Sequence, residues 1–362
     1  MDVRQVAAGK NHGGRTQYTN YRIPGLVVTK ENTLIMYYEA RMAADDWADM
    51  DILAFRSENG GESFGEPIVL AAGAQIGRTV NNPVMIVGND GILHFLYCVE
   101  YGVCVACGDA ATAACPHGVG VFYRRSADDG LTWSEPVNIT DSTAPDQRYV
   151  FAVGPGHGVC LPDGTLVATV WMVKKENAVD GDILAHHLAS VSTLYSKDHG
   201  ATWCLGEILP NVVNADGSLG DHNETMCAVT SDGGVMLTIR THDVGVRALA
   251  WSKTGYSGWS PIVYDETLVD AVCMGSAVAY EDGAQPYSIL HVNCADAIRS
   301  RKNLTLRVST DNGKTWPKSK VIEPEYAGYS DIAVDSKGTI YVLYEVKAGQ
   351  TCNLARLTYD EL

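Results

Sequence analysis

The chain has 362 residues, and its 27 Lys and Arg against 43 Asp and Glu give a net charge of −16. A hydrophobic fraction of 46% with only 19% charged residues excludes a disordered or fibrous chain. So acidic a balance also argues against a general nucleic-acid binder, which needs a basic face to neutralise phosphates.

No run of about 18 apolar residues occurs, so no membrane span is expected. The opening MDVRQVAAGKNHGG lacks the apolar stretch of a secretory signal. A cytoplasmic location is expected on that ground, or a secreted one where a signal has been removed. Ten cysteines (98, 104, 107, 115, 160, 204, 227, 273, 294, 352) are too few for a disulfide scaffold of this length. Six of them lie singly in apolar segments, as buried free thiols do.

Short apolar runs bounded by Gly, Asp or Asn follow one another along the chain. Residues 33–40 (TLIMYYEA), 91–98 (GILHFLYC), 165–172 (TLVATVWM), 234–240 (GVMLTIR), 287–293 (YSILHVN) and 338–345 (GTIYVLYE) read as strands. Helical periodicity longer than about two turns is absent. The class is all-β, with residues 1–362 as one domain.

An internal repeat sets the architecture. The octapeptide S-x-D-x-G-x-T-W begins at Ser126, Ser196 and Ser309; a weaker copy runs from Ser57 to Phe64, and a degenerate one from Ser252 to Trp259. Its physics is that of a hairpin turn: Asp caps backbone N–H groups, Gly takes positive φ, and Trp packs between sheets. The box aspartates are therefore structural. Five boxes spaced by about 55–70 residues suit four-stranded antiparallel blades, and the length divides into six of them. A six-bladed β-propeller is the predicted fold.

These turns resemble the Asp boxes of the sialidase (neuraminidase) superfamily, and further segments resemble its bacterial exo-α-sialidases in the same order. They are Tyr21-Arg22-Ile23-Pro24; Glu39-Ala40-Arg41 followed by Asp45-Asp46; Asn223-Glu224 with Arg240 after a strand; Arg301 ahead of a box; and Tyr329-Ser330-Asp331 with Tyr344-Glu345 after a strand. Residues 154–164 (GPGHGVCLPDG) resemble a stretch of bacterial members. The resemblance implies removal of terminal α-linked sialic acids with retention, through a tyrosyl-glycoside, and it calls for no cofactor and no metal. Sialylated glycans are the implied partners.

The chemistry of such a substrate fits these residue types. A sialic acid carries a carboxylate on its anomeric carbon, and converging guanidiniums grip a carboxylate best; Arg22, Arg240 and Arg301 are the candidates. A carboxylate nucleophile is repelled by that same charge, which is why sialidases use Tyr. Tyr329 is the candidate nucleophile, with Tyr326 three residues away as its rival. A phenol needs a base, and Glu224 is the candidate. The family's offset from Arg41 selects Asp46 as acid/base over Asp45 and Asp49. Glu345 is expected to hold an arginine, Arg22. Arg41 and Asn82 are expected to contact the sugar.

Residues 98–117 depart from the family pattern. Cys104 and Cys107 form C-x₂-C, with Cys98, Cys115 and His117 near them, and the segment reads as an insertion near the mouth of the site. Free thiols are expected there, with a structural zinc or a disulfide as alternatives. Two other functions stand beside the sialidase reading: hydrolysis of another 2-keto acid sugar such as Kdn or Kdo, and glycan binding without catalysis. A binder needs neither a Tyr–Glu pair nor an acidic loop. HExxH, P-loop and GxSxG patterns are absent.

Overall fold

The computed structural model describes residues 1–7, 18–73, 79–100, 119–143, 150–173, 188–242 and 244–362. Cys104, Cys107, Cys115 and His117 lie outside them; Cys98 lies inside, buried, with its thiol toward the Phe151 carbonyl.

Alternation of apolar residues builds six sheets, arranged as a six-bladed β-propeller. The innermost strands of the first, second, fourth and fifth blades are Asn20–Val28, Thr79–Val87, His222–Val229 and Ser276–Tyr280. In the third and sixth blades they are Val150–Val153 and Ser330–Val334. The next strand out is nearly all buried in each blade, as in Leu34–Arg41 and Leu166–Val173, because neighbouring blades cover both of its faces. Two sheets depart from the expected four strands. Gly156–His157 adds a short parallel pairing inside the second blade, and Val159–Cys160 adds a short antiparallel one to the third.

The ring closes by pairing the two ends of the chain. Strand Asp2–Ala7 is the outermost of the sixth blade, with Asp2 opposite Arg356 on strand Thr351–Leu357. Each Asp box joins the third and fourth strands of its blade. In the sixth blade those strands come from opposite ends of the sequence, which accounts for five boxes in six blades.

The boxes hold their turns as the residue types demand. In the second blade the Gly130 N–H donates to Ser126 Oγ (2.9 Å), the Thr132 N–H to Asp128 Oδ1 (2.9 Å), and Gly130 has φ 81°. Ser196 and Asp198 repeat this pattern with Gly200 and Thr202. Trp203 is fully buried between the second and third blades, against Tyr123.

The Thr132 and Thr202 hydroxyls and N–H groups hold the Asp128 and Asp198 carboxyls below the usual 3.8. A carboxyl with a lower pKa folded than unfolded stabilises the fold above the unfolded value and loses that contribution as pH falls through the folded one. Urea midpoints are therefore expected to drop between about pH 5 and pH 2.5, and Asp128→Asn with Asp198→Asn is expected to flatten that drop. An unchanged slope in the double variant would remove the boxes from the account of acid lability.

A second tie runs across the axis. Asp331, fully buried, accepts from His157 Nδ1 (2.8 Å) and from the backbone N–H groups of Leu26 (2.8 Å) and Ile332 (2.9 Å). One carboxylate thus joins the inner strands of the first and sixth blades to the segment after the third blade's inner strand. No helix among the described residues is long and apolar enough to cross a membrane.

Candidate active site

Three inner strands break register at their upper ends: between Arg22 and Gly25, between Asn81 and Val84, and between His222 and Thr225. A bulge re-aims the side chain it carries. Here the bulged segments carry Arg22, Asn82 and Glu224, all of which line one cavity of about 540 Å³. Ile23 (φ 56°) and Asn82 (φ 52°) take the left-handed backbone that these bulges require. Gly25 is needed in the first, because a Cβ there would lie 2.0 Å from the Tyr37 ring.

At the floor, the Tyr329 hydroxyl donates to Glu224 Oε1 (2.7 Å) and accepts from Arg240 Nη1 (2.8 Å). Arg240 also pairs with the other Glu224 oxygen. Arg22 and Arg301 stand over the Tyr329 ring, each 5.4 Å from its centre to the guanidinium carbon, and Arg240 at 6.0 Å. Sites 22, 240, 301 and 329, from four blades, therefore converge.

Burial pushes the Tyr329 phenol well above 10, against the pull of Arg240 and Arg301. Tyr329 thus rests as a neutral phenol, and a base must take its proton. Tyr326 is half-buried, bonded to Arg301 and not among the cavity's lining residues, whereas Tyr329 lines the cavity and bonds Glu224.

Glu345 does not line the cavity but contacts three residues that do. It is fully buried and accepts from Arg22 Nε (2.9 Å), the Ile23 N–H (2.9 Å) and the Tyr329 N–H (3.2 Å). Its charge raises the Arg22 pKa further, so this guanidinium is permanently charged.

The acid loop, residues 42–49, joins the second and third strands of the first blade. Asp46 reaches Arg41 Nη1 (2.5 Å) and lies 3.6 Å from Arg22 Nη1, with its side chain 71% exposed at the cavity. Asp45 also lines the cavity, but its carboxylate caps the Trp47 N–H (2.6 Å); Asp49 does not line it. The Asp46 carboxylate thus contacts both Arg41 and Arg22.

Asn82 is held from behind: its N–H donates to Glu39 Oε1 (2.8 Å) and its amide to the Val153 carbonyl (3.1 Å). Trp47, Trp171 and His242 line the cavity too and were not legible in the sequence. His242 had a signal in its spacing: two residues beyond Arg240, it shares that residue's face of the strand edge.

A family model for the BNR repeat-like domain matches residues 32–342. The chain belongs to this BNR repeat-like family, and its relatives in sequence include bacterial sialidases. It is 32% identical to a sialidase of Micromonospora viridifaciens over 93% of this chain and 51% of that protein. It is 28% identical to a sialidase of Bacteroides fragilis (strain YCH46) over 94% of this chain and 62% of that one. The chain thus spans half to three-fifths of these relatives' length. Among solved structures, the Hadza microbial sialidase Hz136 superposes with a TM-score of 0.81 at 26% identity, covering 95% of this chain and 66% of that one. The intramolecular trans-sialidase of Ruminococcus gnavus shares the fold, with a TM-score of 0.75 at 16% identity over 99% and 98%.

Proposed function

We propose that the chain is an exo-α-sialidase that releases terminal α-linked sialic acids from glycans and retains configuration through a tyrosyl-glycoside. The observation that carries this reading is the Tyr329–Glu224 hydrogen bond beneath three guanidiniums in one cavity. The sialidase names of its relatives support the substrate class.

Arg22, Arg240 and Arg301 grip the substrate carboxylate and so place its anomeric carbon over the Tyr329 oxygen. That oxygen forms the new bond to carbon as its proton passes to Glu224. The bond from carbon to the leaving oxygen breaks, and Asp46 supplies that oxygen's proton. A water then attacks the same carbon and yields its proton to Asp46, while the bond to Tyr329 breaks and Glu224 returns the phenolic proton. Arg41 and Asn82 contact the sugar ring. Nothing in these steps is asked of a metal or cofactor.

Time-resolved NMR with α2,3- and α2,6-sialyllactose beside Kdn and Kdo glycosides tests the reading. The expected result is sialyllactose cleavage with the α-anomer of free sialic acid appearing first. Initial release of the β-anomer would overturn retention, and preference for the Kdn or Kdo glycoside would reassign the substrate.

A further inference from the structure

Glu39 is a carboxylate with no place yet in the chemistry. It sits on strand Leu34–Arg41, is fully buried, and does not line the substrate cavity. Two residues apart on one strand, Glu39 and Arg41 share a face. Glu39 Oε2 accepts from Arg41 Nε (2.8 Å) and also from Nη2, while Oε1 accepts the Asn82 N–H (2.8 Å) from the neighbouring blade. The Nη1 left over is the group that reaches Asp46 Oδ1 (2.5 Å) and the Asp45 carbonyl (3.3 Å).

Burying a charged pair costs free energy that an apolar pair of the same shape avoids, so its return lies in orientation rather than stability. We infer that Glu39 is a positioning residue: it divides the Arg41 guanidinium so that one edge alone reaches Asp46, and it fixes the acid loop and Asn82 in a single geometry. This rests on the hydrolase reading of the site.

The consequence falls on acid catalysis. A guanidinium shared between two carboxylates satisfies neither fully, and Asp46 remains able to take up a proton and turn to the leaving oxygen. With Glu39 neutral, Asp46 becomes the principal carboxylate of Arg41, and the tighter ion pair holds it deprotonated and out of reach. Burial already raises the Glu39 proton affinity against the opposing pull of Arg41, so the pair is balanced rather than locked.

Glu39→Gln in the whole chain tests this, because the amide keeps the shape and one acceptor but brings an NH₂ against the guanidinium. The readout is kcat/KM on two sialosides that differ in leaving group, because it reports departure of that group and not the later water step that both share. A nitrophenolate departs without a proton, whereas the alkoxide of lactose needs one. For sialyllactose kcat/KM is expected to fall roughly 30–100-fold, within the range of general acid catalysis, and for 4-nitrophenyl sialoside by less than about threefold. In an Asp46→Asn background, Glu39→Gln is expected to add less than about a twofold loss, since it acts through Asp46.

Equal losses on both substrates, or additive losses in the double variant, would overturn the inference and leave Glu39 a purely structural anion. A wild type that cleaves neither sialoside overturns the hydrolase reading, and this inference with it. If Glu39→Gln fails to fold, Glu39→Asp keeps the charge but withdraws the oxygens by one methylene. A smaller split of the same sign is then expected, and no split counts against the inference.

Discussion

Tyr329→Phe is expected to lower turnover by roughly 10²-fold or more while changing substrate affinity only a few-fold. The substitution removes one oxygen and almost no volume from a buried side chain of the core cluster that also holds Met274 and Leu304. Arg22, Arg240 and Arg301 remain to hold a carboxylate, so binding survives. Glu224 loses the group it deprotonates, and only direct attack by water remains. A fluorinated sialic acid analogue that traps covalent intermediates should label the wild-type peptide containing Tyr329 and leave the Phe variant unlabelled. Labelling at Tyr326 would move the nucleophile and keep the mechanism. Undiminished turnover in the variant, with no adduct anywhere in the wild type, would sink the covalent route.

Arg240→Ala is expected to cost about as much, by a different path. Its Nη1 serves the Glu224 carboxylate and the Tyr329 hydroxyl at once. Charge-assisted hydrogen bonds contribute about 1.5–3 kcal/mol each, and a tenfold change corresponds to about 1.4 kcal/mol, so kcat/KM should fall at least about 10²-fold. The truncation also leaves the Glu224 carboxylate and the Tyr329 hydroxyl without their shared donor. Wild-type kcat/KM in this variant would remove Arg240 from both roles. Arg301→Ala should lose at least about tenfold.

The parts of this molecule that were readable in the sequence are those whose physics is local or chemically distinctive. An Asp box is a turn closed by its own side chains, so Ser126, Asp128, Gly130 and Thr132 declare it within eight residues. Arg22, Arg240, Arg301, Tyr329 and Glu224 were singled out by family-like motifs whose residue types suit the charge of one substrate class, and the fold brings them to one cavity. Glu345 was singled out in the same way, in the pair Tyr344-Glu345 after a strand. What stayed hidden depends on register. Glu39 stands beside Arg41 in the sequence, but its bond to Asn82 exists only because two blades lie side by side at that height. The bulges at Arg22, Asn82 and Glu224 leave no common sequence mark; they answer the need to bend three strand ends toward one cavity. The short parallel pairing of Gly156–His157 escaped for the same reason, because its partner is Val84–Met85 of another blade.

The pairing of Asp2 with Arg356 makes this ring a clasp rather than a stack. Blades in an open row could form and fray one at a time, each leaning on the last. Here the blade that carries Tyr329 and Glu345 lacks its outer strand until opposite ends of the sequence meet. Contacts of such sequence separation are slow to form, because loop closure comes before any reward. A nascent chain therefore exposes the open edge of strand Thr351–Leu357 until residues 2–7 dock on it, and an open edge invites a second chain. Completion of the blade that carries Tyr329 and Glu345 is thereby tied to closure of the ring. Deleting residues 1–7, none of which lines the cavity, is expected to release both the clasp and the blade that carries Tyr329.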